Sequence, residues 1–171
     1  SHIHTSNNSH FDSQLPKLAE ADLSVSYDFS GQWKEKEKVA QVAPYTKYAF
    51  LSCGSVQEEE AKEICRMIYK AGCPMVIATR GSYGSILYNG KNFYKQEPKL
   101  VEAVDTLGAG DSFATAFLLS YVENLEKNAE NPDMVKESEE ILIKEAMAAG
   151  AEFAAKTCMV QGAFGYGKEI Q

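Results

Sequence analysis

The stretch Val104-Asp105-Thr106-Leu107-Gly108-Ala109-Gly110-Asp111-Ser112-Phe113 leads directly into a helical pattern. After it, residues recur at the spacing of one helix face: Phe113, Ala116, Phe117, Ser120 and Tyr121. Gly108 and Gly110 therefore lie at a helix start, where the first backbone N–H groups lack internal partners and the helix dipole is positive. Because glycine has no Cβ, an anion can approach these donors closely. The stretch predicts a site for a phosphate or a developing anion.

Asp111 lies inside this predicted anion site, where a carboxylate would repel a phosphate. We interpret it as a base that accepts a proton from a nucleophile attacking the phosphate, which makes the stretch a phosphoryl-transfer site. In the alternative interpretation, Asp105 or Thr106 is an N-cap, the glycines form an ordinary turn and Asp111 only favours the helix dipole. Helix capping requires only one of these residues, so this alternative does not explain why all of them occur together. The chain contains no Walker A sequence G-x-x-x-x-G-K-[ST].

A second glycine-rich turn precedes this stretch. Met75 to Thr79 is an apolar run typical of a buried parallel strand, and it continues into Thr79-Arg80-Gly81-Ser82-Tyr83-Gly84. A strand that ends in Thr-x-Gly-x-x-Gly lets the backbone approach the phosphates and ribose of a nucleotide. Any turn before a hairpin can carry two glycines, and Asn89-Gly90 does predict a hairpin shortly afterwards.

The string Asp105 to Asp111 resembles the C-terminal signature of the ribokinase-like (PfkB-type) carbohydrate kinases. Further segments are similar to the fructoselysine kinase branch of that family: Tyr27-Asp28-Phe29-Ser30 with Trp33, Tyr48 to Ser52 with Gln57-Glu58, Thr79 to Gly84, and Ala154 to Thr157 with Gly162-Ala163. The resemblance implies that Asp111 is the catalytic base. It also implies that Gly108, Ala109 and Gly110 form the anion hole through their backbone N–H groups.

The same resemblance implies that the chain binds ATP with Mg²⁺. It assigns nucleotide contacts to two glycine-rich turns and to a later helix rich in small residues: Thr79, Gly81, Gly84, Gly110, Ala149 and Gly150. Close packing of helices would explain Ala149 and Gly150 equally well.

The resemblance further implies an acceptor site and a monovalent cation site. Asp28 and Trp33 follow a predicted strand, where relatives line the space between sugar and phosphate; a strand-end turn and a packed indole are the alternative. Asp105 and the loop around Gly162 resemble the residues that hold a monovalent cation, such as K⁺, in the family.

One family motif is altered. Relatives usually carry Asn-x-x-Glu after the strand that corresponds to Tyr48–Cys53, and it acts on magnesium and phosphate through water. This chain has Ser52-Cys53-Gly54-Ser55, followed by Glu58, Glu59 and Glu60. Since Glu59 and Glu60 would also suit the first turn of a helix, the residues that act on magnesium stay open.

The composition indicates one domain of an ordinary soluble protein. The chain has 171 residues, of which 44% are hydrophobic and 24% charged, and a formal net charge of -7 argues against nucleic acid as the main partner. Four cysteines without C-x-x-C spacing indicate reduced thiols and a cytoplasmic location. No apolar run is long enough to span a membrane.

The order of predicted elements favours an α/β fold with a mostly parallel sheet. Residues 1–11 are predicted to be irregular, the signature helix to end near Leu125, residues 126–139 to form a loop, and Ser138 to Lys156 to form the last helix. By resemblance, residues 1–171 are the C-terminal portion of a single ribokinase-like domain, a three-layer α/β/α sandwich that lacks the N-terminal part and the lid. Such a portion would expose apolar edges, so we expect a homo-oligomer.

These observations predict transfer of the γ-phosphoryl group of ATP to a primary hydroxyl of a sugar or a sugar-amine such as fructoselysine, with Asp111 as the base. Two alternatives remain open. The acceptor could be another sugar or a nucleoside, because most acceptor-selecting residues of the family are missing here. The chain could also be a nucleotide-binding fragment without catalytic competence.

Overall fold

The computed structural model describes residues 1–130 and 138–162. In this part of the chain, six strands form one sheet in chain order: β1 (His2–Ser6), β2 (Ser24–Ser30), β3 (Tyr48–Ser52), β4 (Met75–Thr79), β5 (Ser85–Tyr88) and β6 (Phe93–Gln96). The α-helices are α1 (Leu15–Glu20), α2 (Lys36–Val42), α3 (Glu58–Lys70), α4 (Ala109–Glu130) and α5 (Glu139–Cys158). Strands β1 to β4 pair in parallel and β5 is antiparallel to β4, which confirms the mostly parallel sheet.

The chain divides into two compact units, Ser1–Lys95 and Gln96–Gln171, here named the strand unit and the helical unit. In the strand unit, alternate residues of the central strands bury one face against apolar residues of α1, α2 and α3. The main contributors are Val25, Tyr27, Phe29, Ala49, Leu51, Val76, Ala78 and Ile86 from the strands, and Leu15, Val39, Val42, Ile64 and Ile68 from the helices. This core fixes the strand ends that carry the predicted nucleotide turn.

The helix α3 ends as its sequence predicts. Its buried residues Ala61, Ile64, Cys65 and Ile68 keep the helical spacing, and Gly72 follows with φ of 121°. A Cβ at Gly72 would also lie 2.9 Å from the Cα of Pro44. Glycine is therefore required here by the backbone conformation and by the space available.

The N-terminal segment differs from its prediction. Residues 1–11 were expected to be irregular, but His2–Ser6 forms the parallel edge strand β1 against β2. The ring nitrogens of His2 lie 3.1 Å from Ser24 Oγ and 2.9 Å from Ser26 Oγ, and His4 Nδ1 lies 2.7 Å from Ser26 Oγ. Polar residues form a strand here because serines of the neighbouring strand satisfy them, a pairing that no local pattern reveals.

The helical unit is built around the contact between α4 and α5. The rings of Phe113, Phe117 and Tyr121 stack along one face of α4, with centroids 6.4 and 5.7 Å apart. Ser138 caps α5 by accepting a hydrogen bond from the N–H of Ile141. The helix α4 continues to Glu130. The prediction that a loop begins at residue 126 is wrong, because residues 126–130 are still helical. The rest of that predicted loop, residues 131–137, lies outside the described residues.

The described helices include none that is long and apolar enough to cross a membrane. The four cysteines are free thiols, three of them buried: Cys53, Cys65 and Cys73. Burial raises the pKa of the Cys53 and Cys65 thiols to about 12. These thiols belong to the core and carry no sign of a chemical role.

Candidate functional site

The carboxyl ends of three parallel strands lie side by side in the strand unit. Ser52 at the end of β3 is in register with Thr79 at the end of β4, and Asp28 lies near the end of β2 beside Phe50 of β3. In open α/β sheets, ligands bind at this edge. The strand order therefore places Asp28 on the same edge as the predicted nucleotide turn.

The turn after β4 is held by its own backbone. The N–H of Arg80 donates to the carbonyl of Gly84 at 2.8 Å, and the N–H of Gly84 donates to the carbonyl of Gly81 at 3.1 Å. Gly81 and Gly84 have φ of 57° and 79°, and a Cβ on Gly81 would meet no atom within 4 Å. The turn needs glycine for its conformation and leaves open space above Gly81. The hydroxyl of Thr79 donates to the carbonyl of Leu51 at 3.2 Å, which joins β4 to β3.

Trp33 lies in the core of the strand unit. It is 7% exposed, and its Nε1 donates to the carbonyl of Ser52 at 3.0 Å. Asp28 is half-buried, and one of its carboxylate oxygens accepts from the N–H of Ser30 at 2.6 Å. Packing and a strand-end turn account for these contacts, and a contact of either residue with an acceptor stays a prediction.

The altered motif after β3 leads to a cluster of charges around Glu58. Its carboxylate accepts from Lys95 at 2.8 Å and pairs with Lys62 at 3.1 Å, and these two lysines hold the pKa of Glu58 below its ordinary value. The guanidinium of Arg80 lies 4.0 Å from the same carboxylate and donates to the carbonyl of Val56. The carboxylate of Glu58 is therefore paired with the side chains of Lys95 and Lys62. In the part of the chain that the structure describes, no group of three or more His, Cys, Asp or Glu residues is arranged to hold a metal ion.

The helical unit carries the glycine-rich loop that leads into α4. Gly108 has φ of 77° and precedes α4, and its carbonyl accepts the N–H of Ser112 at 2.9 Å. Within residues 1–130 and 138–162, the backbone N–H groups of Gly108 and Gly110 have no hydrogen-bond acceptor, whereas the N–H of Ala109 donates to the carbonyl of Thr106 at 3.3 Å. A Cβ on Gly110 would meet no atom within 4 Å. Gly110 is therefore not required by packing, and its missing side chain leaves the helix terminus open.

Asp111 follows in the first turn of α4 and is exposed. It directly follows Gly110 in the chain, whose N–H has no acceptor within residues 1–130 and 138–162. The loop thus combines hydrogen-bond donors for an anion with an exposed acceptor for a proton.

Asp105 is fixed at the entrance to this loop. Its Oδ1 accepts from the N–H of Leu107 at 2.9 Å, and its Oδ2 accepts from the N–H of Gly162 at 3.0 Å. These hydrogen bonds hold the pKa of Asp105 below its ordinary value, so the carboxylate stays charged. The resemblance implies that Asp105 and the Gly162 loop hold a monovalent cation; in the structure Gly162 contacts Asp105 through its N–H. A monovalent cation at Asp105 and the Gly162 loop stays a prediction.

Ala149 and Gly150 lie in the middle of α5. A Cβ on Gly150 would lie 2.9 Å from the ring of Phe113, which is near the start of α4. Close packing of the two helices thus requires glycine at 150, as the packing alternative expected. A contact of Ala149 or Gly150 with adenine stays a prediction.

Residues at the end of α5 hold the loop through contacts that no sequence motif predicts. The hydroxyls of Ser112 and Thr157 share a hydrogen bond of 2.7 Å, and both residues are 7% exposed. The carbonyl of Cys158 accepts from the N–H groups of Val104 and Asp105 at 2.8 and 3.2 Å. Because 45 residues separate Ser112 from Thr157, no local spacing signals the pair.

The predicted residues fall into two sets. The helical unit brings together the loop residues with the turn after α5: Asp105, Gly108, Ala109, Gly110, Asp111 and Gly162. The strand unit places Asp28, Thr79, Gly81 and Gly84 along the carboxyl edge of its sheet.

The chain is similar to known carbohydrate kinases. The family described as "pfkB family carbohydrate kinase" matches residues 33–163. Fructosamine kinase FrlD of Bacillus subtilis (strain 168) is 39% identical over 165 residues, which cover 96% of this chain and 52% of that protein. Fructoselysine 6-kinase of Shigella flexneri is 32% identical over 163 residues, which cover 95% of this chain and 55% of that protein.

Solved structures share the fold. Ribokinase from Thermotoga maritima superposes with a TM-score of 0.71 at 20% identity, covering 95% of this chain and 52% of that one. A fructokinase double mutant from Vibrio cholerae, solved with fructose, ADP and a potassium ion, gives 0.67 at 18% identity, covering 95% and 56%.

The fold is therefore ribokinase-like, as the sequence predicted. The chain belongs to the pfkB family of carbohydrate kinases, whose match includes the glycine-rich loop and both helices of the helical unit. It spans about half the length of the curated relatives it matches.

Proposed function

We propose that this chain carries the phosphoryl-transfer centre of an ATP-dependent kinase that acts on a primary hydroxyl of a sugar or sugar-amine. One observation carries the proposal. Within residues 1–130 and 138–162, the N-terminus of α4 presents N–H groups without an acceptor at Gly108 and Gly110, no atom within 4 Å of a Cβ at Gly110, and an exposed carboxylate at Asp111. Membership of the pfkB family supports it.

In this proposal, Asp111 positions the acceptor hydroxyl and takes its proton. An alcohol is far too weak an acid to be ionised by a carboxylate in the ground state, so proton transfer comes late and positioning dominates. The amides of Gly108 to Gly110 and the helix dipole stabilise the charge on the transferring group. Asp105 does not act as the base in this proposal, because its two carboxylate oxygens accept hydrogen bonds from the N–H groups of Leu107 and Gly162 and hold the loop in its conformation.

The proposed nucleotide contacts are Thr79, Gly81 and Gly84 in the strand unit and Gly110, Ala149 and Gly150 in the helical unit. Open space over Gly81 and Gly110 supports a close approach of phosphate to the backbone at these two positions. Mg²⁺ would arrive with ATP and neutralise charge on its β- and γ-phosphates. The Vibrio cholerae fructokinase that holds ADP and a potassium ion supports a monovalent cation, which we assign to Asp105 and the Gly162 loop.

For the acceptor we propose a fructosamine such as fructoselysine, with Asp28 and Trp33 as contacts. The two relatives named for fructosamine and fructoselysine kinases support this choice, since each matches 95% or more of this chain. Binding of nucleotide without transfer is the second candidate. It is favoured by the contacts of Trp33 and Asp28, since packing and a strand-end turn account for them.

We also propose a cytoplasmic location and self-association. Four free cysteines support a reducing compartment. Exposed apolar side chains in the helical unit support association with a second copy: Leu100, Val104 and Leu119 are 81%, 65% and 57% exposed.

The proposal is tested by titrating the chain with ATP and Mg²⁺ in a calorimeter and then measuring ADP release with fructoselysine, fructose and ribose. Gly110→Val fills the space at the helix start, so it should abolish ATP binding. Gly31→Val is the matched control, because a Cβ there also meets no atom within 4 Å. Equal ATP affinity in wild type and Gly110→Val would refute the nucleotide site. Binding without ADP release would establish the second candidate.

A further inference from the structure

We propose that Thr157 is a positioning residue for the phosphoryl-transfer loop: its hydroxyl holds the first turn of α4 through Ser112. The inference rests on the proposed function, since it concerns the same loop. It assigns a task to a residue at the far end of α5, 45 positions away from its partner.

The hydroxyl pair is isolated from solvent. Ser112 and Thr157 are each 7% exposed, and their oxygens are 2.7 Å apart. A buried hydroxyl that loses its partner pays the desolvation penalty in full, so each residue depends on the other. Ser112 directly follows Asp111, and its N–H donates to the carbonyl of Gly108 at 2.9 Å. The pair therefore acts on Asp111, which precedes Ser112 in the chain, and on Gly108, to which Ser112 is hydrogen-bonded.

The end of α5 also holds the entrance of the loop. The carbonyl of Cys158 accepts from the N–H groups of Val104 and Asp105, and the N–H of Gly162 donates to the Asp105 carboxylate. These contacts fix the chain before the glycines, whereas the Thr157 hydroxyl fixes it after them. Between these two anchors, Leu107 is 64% exposed and Gly110 is open. The loop thus depends on α5 at both ends.

Such anchoring matters because free N–H groups stabilise a transferring phosphate only if they are already aimed at it. If Thr157 merely filled space, valine would replace it, because the two side chains have almost the same shape. If its hydroxyl positions the loop, valine should loosen residues 104–112 and serine should keep them fixed.

The test is hydrogen exchange followed by mass spectrometry on the chain and three variants. We expect Thr157→Val to speed exchange of the amides in residues 104–112 about tenfold, which corresponds to the loss of one buried hydrogen bond. Thr157→Ser should restore slow exchange. Thr46→Val is the matched control: Thr46 is 3% exposed and its hydroxyl donates to the carbonyl of Ala43 in the strand unit. It should leave exchange of residues 104–112 unchanged.

A second readout separates positioning from stability. In an active preparation, Thr157→Val should lower kcat about tenfold and change the KM for the acceptor much less, and Thr46→Val should change neither. Unchanged exchange of residues 104–112 in Thr157→Val, or the same increase in both valine variants, would overturn the inference. If the wild-type chain binds no ATP and releases no ADP, the proposed function fails, while the exchange comparison still decides whether Thr157 holds the loop.

Discussion

Gly150 of α5 lies against Phe113 of α4 so closely that a Cβ at position 150 would come within 2.9 Å of two ring atoms. Phe113 stands two residues after Asp111 and begins the aromatic row that continues with Phe117. The distance between the two helices near the loop is therefore set by the absence of a side chain at position 150. Any group larger than hydrogen must move the ring or separate the helices.

Gly150→Ala should destabilise the protein even though alanine favours helices. We expect a loss of about 1–3 kcal/mol in the free energy of unfolding, which is typical of overpacking in a core. Urea denaturation measures it. Gly31→Ala is the control, since its Cβ meets no atom within 4 Å, and it should be nearly neutral. A Gly150→Ala protein as stable as wild type would contradict this description of the helix contact.

Asp105→Asn should weaken the loop in a pH-dependent way. Hydrogen bonds from the N–H groups of Leu107 and Gly162 lower the pKa of Asp105 from its ordinary value of 3.8 in the folded state. A carboxyl group whose pKa is lowered on folding adds stability to the protein. This stability is fully present at a pH above the pKa of the unfolded state and is lost as the pH falls through the pKa of the folded state. Wild type should therefore be more stable than Asp105→Asn at pH 7, and the gap should narrow below about pH 4.

Thermal unfolding of both proteins between pH 3 and pH 7 measures this gap. Glu102→Gln serves as the control, because Glu102 is exposed on the same segment. A gap that stays constant over the whole range would mean that the charge of Asp105 contributes nothing.

The buried thiols should resist alkylation. Burial raises the pKa of Cys53 and Cys65 to about 12 and that of Cys73 to about 11, so the reactive thiolate is scarce at pH 8. Cys158 is only half-buried. With iodoacetamide under native conditions, peptide mass spectrometry should find Cys158 modified first and the other three only after unfolding. Equal rates at Cys53 and Cys158 would contradict the burial of the core.

Local patterns were sufficient for much of the fold. The strand Met75–Thr79, the hairpin around Asn89-Gly90 and the capped start of α5 at Ser138 all follow from short-range signals. The strand β1 was missed because its polar side chains are satisfied by serines of a distant segment, Ser24 and Ser26. The end of α4 was placed too early, since charged residues after Leu125 resemble a loop but remain helical.

The site shows the same division. The position of the glycines and Asp111 at a helix start could be predicted from the sequence, because the helical spacing begins directly after them. The hydrogen bonds that Thr157 and Cys158 make to the glycine-rich loop could not be predicted, since they depend on where α5 ends in space. No sequence pattern predicted that Arg80 is buried and lies beside Glu58.

If Asp111 is the base of a phosphoryl-transfer centre, its carboxylate is needed for turnover and not for ATP binding. The measurement is the rate of ADP release with ATP, Mg²⁺ and fructoselysine, made together with the ATP Kd, for wild type and Asp111→Asn. Asp22→Asn is the control, because Asp22 lies in an exposed turn at φ of 52°, which asparagine also adopts. We expect Asp111→Asn to lose about 10²–10⁴-fold in turnover and to keep the ATP affinity of wild type. Turnover in Asp111→Asn equal to that of wild type would contradict it.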